Sequence, residues 1–382
     1  MHPVHEPLRR GQALLSRYAE STVWLARYME RIENLARIID VTDTFTRTGT
    51  GENDWRSVVQ INADEERFFA GRSEADVASV AEFYILDREN PNSIASLIQV
   101  ARENARTLRP LISTEMWTHL NMMHKWVRGL TRSDIRPSQL STLCTRLKQE
   151  CQTHYGITEG TFYRDQGWYF YVIGKYLERG NQTTRLVDIK YHTLLPRDAE
   201  VGSQVDMSQW SAVLRSAAAY HAYRRMMPRS LAPAAVAGFL LLNNAFPRSL
   251  VLTLRQVNWA LSQLRTDYGL RRGGNALERM DELRASLADQ TIEEIILRGL
   301  HEFLDWVQMQ LHHIHDEIAE AFWAVIPAPA EPASGTAIAA SASQIIGGGG
   351  MSQTLGGMTQ VIGVTNQIDP NDSTEPPEPI QT

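Results

Sequence analysis

The sequence predicts an all-α protein, a helical bundle built from two tandem pseudo-repeats with a disordered C-terminal tail. Apolar residues recur with helical rather than alternating period in almost every segment. In addition, residues 26–40 (ARYMERIENLARIID) return as residues 174–188 (GKYLERGNQTTRLVD). A stretch that returns with its polar residues intact indicates a duplicated structural unit. The identical pairs are Tyr28/Tyr176, Glu30/Glu178, Arg31/Arg179, Arg37/Arg185 and Asp40/Asp188.

Three further stretches match in the same order, and the separation grows from 148 residues in the helix motif to 155 and then 156. They pair 55–58 with 210–213, 80–83 with 236–239, and 91–94 with 247–250. Each copy is therefore one block of helices. We expect a single body made of a first pseudo-repeat at residues 1–154 and a second at 155–326.

The apolar periodicity predicts twelve helices. They lie at residues 11–47, 53–69, 73–87, 91–109, 113–130, 137–154, 160–194, 207–226, 232–244, 247–268, 275–288 and 291–324. Asn90 before Pro91 predicts a helix start, and Thr291 with Glu294 has the spacing of a capping box. Residues 327–382 are rich in Ala, Pro, Gly, Ser and Thr. Such a stretch buries too little apolar surface to offset chain ordering, which predicts a mostly disordered tail.

Composition excludes several classes of protein. The 382 residues are 43% hydrophobic, enough for one large core. Residues 1–298 hold all 38 Lys and Arg and 34 of the 44 acidic residues, a balance of +4 that is far from the basic signature of a nucleic-acid binder. The longest apolar run, residues 231–242, is too short to cross a bilayer, so we expect no membrane association.

The cysteines and the N-terminus indicate the compartment. Cys144 and Cys151 are not spaced as a metal knuckle or a redox pair, which favours reduced thiols. Residues 1–7 lack the apolar core of a signal peptide. We expect a cytoplasmic protein.

The first long helix carries a polar stripe beside its apolar arc. The arc contains Trp24, Leu25, Tyr28, Met29, Ile32, Leu35, Ala36 and Ile39. The polar stripe, Glu20, Arg27, Arg31 and Asn34, falls within about 60° on the border of that arc. Arg27 and Arg31 are like charges one turn apart, which destabilises an isolated helix. The second copy keeps the pattern as Lys175 and Arg179, so we expect something acidic to compensate both pairs.

Two explanations of that compensation remain open. In the first, internal carboxylates such as Glu20, Glu30, Asp87, Glu103 or Asp165 pair with the arginines and form a structural seam between the repeats. In the second, the stripe lines a groove in which Arg27, Arg31, Arg179 and Arg106 bind an anion from outside, a peptide carboxylate, a phosphate or an acidic loop.

The same residues resemble a known family. Ser16-Arg-Tyr-Ala-Glu20 followed by Trp24-Leu-Ala-Arg-Tyr-Met-Glu-Arg-Ile-Glu-Asn34 is similar to the opening motif of the alpha-E domain family, named for its helices and its Glu-Arg pair. The likeness extends over about residues 12–324. Its other motifs are Asn90–Ile94, Ala101–Arg106, Glu115–Trp117, Arg164–Trp168 and Phe246–Ser249.

The resemblance implies a partner for this chain. Members of the alpha-E family are typically encoded beside, or fused to, a circularly permuted ATP-grasp protein, often with a transglutaminase-like protein nearby. That association implies ATP-dependent peptide ligation or modification, with the alpha-E chain as the partner subunit. ATP and magnesium are expected on the ATP-grasp chain and no cofactor on this one, because the sequence contains no phosphate-binding glycine loop.

We therefore predict an Arg/Glu/Asn-lined surface that binds or activates a peptide substrate, with catalytic residues unassigned. Trp168 is included because it stands at the repeat position of Glu20, where a ring could stack on an arginine or a ligand. The candidate residues are Glu20, Arg27, Glu30, Arg31, Asn34, Asp87, Asn104, Arg106, Asp165, Trp168, Glu178 and Arg179.

Two alternative functions follow from other features. The chain could be a non-catalytic helical scaffold that engages a partner through its tail and acidic last helix. It could also be an autonomous metal-dependent enzyme, because His312, His313 and His315 crowd that helix. No His-Glu-x-x-His or Glu-x-x-His occurs, however, so we predict no metal ligands. A Cys144–His154 nucleophile and base has no further supporting signal.

Overall fold

The computed structural model describes residue 14 and residues 16–47, 55–194, 204–228, 231–268, 273–288 and 290–323. Within these ranges every regular element is helical, which confirms the predicted all-α class. The predicted tail at residues 327–382 lies outside the described residues.

The described residues form seven helices in each half of the chain. The first seven are α1 (Ser16–Arg47), α2 (Trp55–Ile61), α3 (Glu65–Phe69), α4 (Val77–Ala81), α5 (Ile94–Thr107), α6 (Thr114–Arg128) and α7 (Pro137–Thr161). The second seven are α8 (Gln166–Leu194), α9 (Gln204–Ser216), α10 (Tyr220–Met226), α11 (Pro233–Leu242), α12 (Leu250–Thr266), α13 (Gly274–Ala288) and α14 (Ile292–Phe322). A π-helical turn, Glu82–Leu86, extends α4.

Two predicted helices are each broken into two. The segment 53–69 divides at Ala63, whose φ is 54°, and 207–226 divides at Ala218, whose φ is 55°. A left-handed residue cannot continue an α-helix. Alanine is otherwise the best helix former, so the sequence pattern carries no signal for either break. The two alanines lie 155 residues apart, the separation of the matching segments around them.

The predicted end of one helix, at residue 154, was wrong. Helix α7 continues to Thr161, past Gly156 and Gly160. A glycine within a helix costs about 1 kcal/mol relative to alanine. Here the helix also places His154 and Thr158 in the core, which favours its continuation. The proposed boundary between residues 154 and 155 therefore falls inside α7, and the link between the halves is at 162–165.

The helix starts show which side chains supply the caps. The capping box predicted at Thr291 and Glu294 is present, with Thr291 N donating to Glu294 Oε2 at 2.8 Å. The start predicted at Asn90-Pro91 was wrong. The α5 cap is Ser93, whose Oγ accepts from Ser96 N at 3.1 Å, while Asn90 holds the preceding turn by accepting from Asn92 N.

Helices α1 and α8 lie at the centre of the protein. Helix α1 packs against α5, α7 and α8, while α8 also packs against α12 and α14. All the residues of the predicted apolar arc of α1 are buried. Because neighbouring helices cover α1 on several sides, Glu30, Glu33 and Asn34 are buried as well. Polar side chains in this position need internal partners.

The two central helices approach closely at Gly174. A Cβ atom built there would lie 2.2 Å from the carbonyl oxygen of Val23, so only glycine fits at this crossing. The contacts from Val23–Gly174 to Asn34–Gln182 keep a nearly constant sequence separation. This is the pattern of two helices that run side by side in the same direction.

Candidate functional site

The Glu-Arg pair of α1 is matched by the same pair of α8. Glu30 accepts two hydrogen bonds from Arg179, Nε to Oε1 and Nη2 to Oε2, both at 2.8 Å. The converse pair joins Glu178 to Arg31, with Nε–Oε1 at 2.8 Å and Nη2–Oε2 at 3.0 Å. Each glutamate therefore binds the arginine of the other helix through two parallel bonds, the strongest geometry available to these side chains.

A second cation reaches each glutamate. Arg27 Nε donates to Glu178 Oε2 at 3.0 Å, and Arg248 Nη1 donates to Glu30 Oε1 at 2.7 Å. Arg248 comes from the loop before α12 and also binds Glu33. The like-charged Arg27 and Arg31 thus converge on Glu178, an acid of the other half.

The two helices also meet through an amide pair. The side-chain nitrogen of Asn34 donates to Gln182 Oε1 at 3.0 Å, and Gln182 in turn donates to Glu178 Oε1 at 3.0 Å. Asn34 and Gln182 are 148 residues apart, so equivalent positions face each other. We call this whole set the Glu-Arg seam: Arg27, Glu30, Arg31, Asn34, Glu178, Arg179, Gln182 and Arg248.

The carboxylates of the Glu-Arg seam are held in their charged form. Burial alone would raise the pKa of Glu30, but attraction by Arg179 and Arg248 outweighs it and keeps the pKa well below its usual value. Arg31 and Arg27 do the same for the pKa of Glu178. Both carboxylates are fully buried. The seam is therefore a network of ion pairs whose members compensate one another inside the protein.

The Glu-Arg seam unites six of the twelve candidate residues predicted from sequence. The others lie elsewhere. Asp87 pairs with Arg72 at 3.2 Å, and the exposed Arg106 pairs with Glu103 at 3.0 Å. Asp165 accepts from Gly167 N at the start of α8. Glu20 and Asn104 are half-buried on α1 and α5. Trp168, the last candidate, lines a cavity.

A half-open cavity of about 430 Å³ adjoins the Glu-Arg seam. Its walls come from α7, α8 and α12 and are mostly aromatic. The lining is Tyr155, Thr158, Glu159, Arg164, Trp168, Tyr169, Tyr171, Val172, Lys175, Tyr176, Gln256 and Trp259. We call it the α7–α8 cavity.

Two tyrosines connect the α7–α8 cavity to the Glu-Arg seam. The hydroxyl of Tyr155 donates to Glu30 Oε2 at 2.8 Å. The guanidinium of Arg179 lies 5.2 Å from the ring centre of Tyr176. Both residues line the cavity, and each also contacts a charged side chain of the seam.

Lys175 contributes a positive charge to this cavity. Its ammonium lies 4.5 Å from the ring centre of Tyr155 and 5.5 Å from that of Tyr176. Burial, followed by repulsion from Arg179, lowers the pKa of Lys175 to about 8 despite attraction by Glu30. At neutral pH the side chain is charged, and it forms no ion pair with any residue that the structure describes.

The histidine-rich part of α14 does not gather into a metal site among the described residues. The Nδ1 atom of His312 is 2.9 Å from the Gln308 carbonyl oxygen, and His315 is buried against Trp24. A different group, Asp188, His301 and Asp305, brings three potential ligand atoms together. The hydrogen bond with Asp188 raises the pKa of His301, so an ion pair explains this group without a metal.

The residues of this region that the sequence did not predict include Tyr155, Lys175, Gln182 and Arg248. Lys175 was recognised as the repeat position of Arg27 but was not included among the site residues. A weak signal for Arg248 was its place in the Phe246–Ser249 motif. Nothing in the sequence links Tyr155 to Glu30, because their contact spans 125 positions and depends on how α7 packs on α1.

These features define an all-helical protein organised around a doubled Glu-Arg pair. A family profile described as a predicted alpha-helical domain with a conserved ER motif, Alpha-E, matches residues 14–323. The chain belongs to the Alpha-E family, which confirms the resemblance seen in the sequence.

Similar proteins occur in mycobacteria. An uncharacterized protein of Mycobacterium bovis and uncharacterized proteins of two Mycobacterium tuberculosis strains are each 25% identical to this chain over 326 residues. The alignment covers 79% of this chain and 36% of each relative, so the chain spans about a third of the length of these curated relatives. No solved structure matches the chain. Among the described residues, no helix has the length and apolar character needed to span a membrane.

Proposed function

We propose that this chain is the partner subunit of an ATP-grasp enzyme in ATP-dependent peptide ligation or peptide modification, acting in the cytoplasm. Membership of the Alpha-E family supports this, since the resemblance implies an ATP-grasp neighbour. In this proposal ATP and magnesium bind to the ATP-grasp chain, because this sequence contains no phosphate-binding glycine loop.

The α7–α8 cavity is the substrate-binding surface in this proposal. The single observation that carries it is the continuity between the cavity and the buried seam through Tyr155 and Tyr176. A cavity of this volume with aromatic walls and a few polar groups is typical of a small-ligand site. The ion pairs behind it hold the walls in place, as binding sites require.

The Glu-Arg seam then has a positioning role. Its arginines already bind Glu30 and Glu178, so an external anion would have to displace buried carboxylates. Removing one partner of a buried pair costs about 3–5 kcal/mol. This favours the structural explanation of the seam over a groove lined by Arg27, Arg31 and Arg179, and it moves the proposed substrate contact to the cavity.

The test combines this chain with the ATP-grasp protein that the proposal assigns to it as a partner. Each is purified separately, and ADP release is measured with a mixture of short peptides. We expect ADP release only when both chains are present. Trp259→Ala, at a half-exposed wall of the cavity, should lower the rate about tenfold, as loss of an aromatic contact residue commonly does. Met122→Ala, on α6 and outside the cavity lining, is the matched control.

The alternative function is a helical interaction scaffold. The internal compensation of the Glu-Arg seam favours it, because such a seam can serve stability alone. In that case Trp259→Ala and Met122→Ala would leave ADP release equally unchanged. Full ADP release by the ATP-grasp protein without this chain would contradict the partner-subunit proposal.

A further inference from the structure

We propose that the α7–α8 cavity binds a ligand with a single negative charge, a carboxylate attached to an aromatic or apolar group such as the C-terminus of a peptide, with Lys175 as its anchor. This rests on the proposed function in that the ligand would be the peptide substrate. Binding itself, however, is assigned to this chain alone.

Lys175 lies at the repeat position of Arg27, but its contacts differ. Arg27, 148 residues earlier, pairs with Glu178 of the other helix. The corresponding acid for Lys175 is Glu30, whose oxygens are instead occupied by Arg179, Arg248 and Tyr155. Arg248 thus replaces Lys175 at the seam. The ammonium of Lys175 is left among tyrosine rings at the cavity wall, with no carboxylate in contact among the described residues.

The lining of the cavity contains three charged side chains. Besides Lys175 the cavity contains one other cation, Arg164, and one acid, Glu159. These two bind each other, with Nη2–Oε1 at 2.5 Å, and the guanidinium stacks on Trp168 at 3.5 Å from its ring centre. Lys175 therefore remains the one charge of the lining without a partner of opposite charge among the described residues. A carboxylate balances it, whereas a phosphate dianion would leave a negative charge close to Glu159.

The walls of the cavity are mostly aromatic. Trp168, Tyr169, Tyr171, Tyr176 and Trp259 line the cavity together with Lys175. The volume of about 430 Å³ accommodates one large side chain together with its carboxylate. Aromatic walls favour an apolar or aromatic body through stacking and burial. The positive charge of Lys175 and the aromatic walls together favour a ligand that carries a carboxylate on an apolar or aromatic group.

The probe is N-acetylphenylalanine, which has one negative charge and an aromatic ring, and its matched control is N-acetylphenylalanine amide. Binding to the purified full chain is followed by ligand-observed saturation-transfer NMR and quantified by titration. We expect the acid to bind at least about tenfold more tightly than the amide, the ratio produced by one charge-assisted hydrogen bond. Inorganic phosphate at the same concentration should not displace the acid.

The variants localise the effect. Lys175→Met should remove the difference between acid and amide, and Trp259→Ala should weaken both. Lys125→Met, which removes an exposed lysine from α6, should bind as the wild type does. Melting curves verify that each variant is folded. If Lys175→Met does not fold, the comparison of acid and amide on the wild type decides the question.

Three results would overturn the ligand assignment: no binding of the acid at millimolar concentration, equal binding of acid and amide, or displacement of the acid by phosphate. A folded Lys175→Met variant that still prefers the acid would overturn the role of Lys175. None of these measurements uses ATP or the ATP-grasp chain. ADP release that persists alongside such a result would leave the proposed function intact and reject only the ligand.

Discussion

Glu30 and Arg179 form a two-point ion pair between α1 and α8, and both side chains are buried. In the converse pair, Glu178 binds Arg31, so that the glutamate comes from α8 and the arginine from α1. The two Glu-Arg motifs thus join the two central helices through buried ion pairs. In the proposed function, they fix the wall of the neighbouring cavity.

Removal of Arg179 should destabilise the protein strongly. Among the described residues, Arg179→Met leaves the buried Glu30 with Arg248 as its one contacting cation. We expect a loss of about 3–5 kcal/mol in the free energy of unfolding, as for a broken buried pair. Arg106→Met, which breaks an exposed pair with Glu103, should cost no more than about 1 kcal/mol. Urea unfolding of both variants checks this, and equal losses would show that the seam pair is no stronger than a surface pair.

Acid should weaken the seam in a defined direction. The folded-state pKa values of Glu30 and Glu178 lie below those of the unfolded chain because the arginines stabilise the charged form. The unfolded chain therefore binds more protons as the pH falls, and stability present above about pH 4 is lost below it. Glu178→Gln should show a shallower fall in unfolding free energy between pH 5 and pH 3, each value taken from urea unfolding. A slope identical to that of the wild type would contradict the pairing.

Lys175 should add a second rise of stability with pH, in the alkaline range. Its folded-state pKa, about 8, lies below the ordinary value of 10.5, chiefly because of burial. Between these pH values the unfolded chain binds more protons, so the free energy of unfolding rises with pH across this window. Below pH 8 the cost of the buried charge is fully present, on the order of 3 kcal/mol.

Lys175→Met should remove this alkaline rise and be the more stable form at pH 7. The measurement is urea unfolding of both proteins from pH 7 to pH 10, with Lys125→Met as the control. A variant that is less stable than the wild type at pH 7 would show that Lys175 stabilises the fold and is not an uncompensated charge at the cavity.

The close crossing of the central helices should depend on Gly174. In Gly174→Ala the added methyl group would overlap the carbonyl oxygen of Val23, so α1 and α8 must move apart and the seam must lengthen. We expect a loss of about 1–3 kcal/mol or more, typical of overpacking. Gly160→Ala, in α7 with no atom within 4 Å of the new Cβ, should instead stabilise by about 1 kcal/mol. Thermal unfolding compares the two, and a neutral Gly174→Ala would contradict the crossing.

The sequence predicted the helices better than it predicted their pairing. Helical periodicity is a local property, so the arc from Trp24 to Ile39 and the cap at Thr291 could be read directly. The partner of Arg27 could not, because one-turn spacing on a helix shows only that a charge needs compensation. The duplication offered the best signal, since a two-fold arrangement of the motif places each glutamate near the arginine of the other copy. The duplication itself stays a prediction.

Sequence patterns could not predict the cavity, for a physical reason. Its walls come from the consecutive helices α7 and α8 and from α12, which is distant from them in the chain. The unpaired charge of Lys175 depends on Arg248 taking its place at Glu30. Only Trp168 was identified, through its repeat position. The breaks at Ala63 and Ala218 were equally hidden, because backbone conformation there overrides the helix preference of alanine.

The most direct test of the central claim is a double-mutant cycle between Glu30 and Arg179 in the isolated chain, with Glu30→Gln, Arg179→Met and the double variant compared by urea unfolding. If the two side chains bind each other, the losses in the free energy of unfolding will fall short of additivity by about 2–3 kcal/mol. Additive losses would contradict the account, because they would mean that Arg179 is free of Glu30 and open to a ligand from outside.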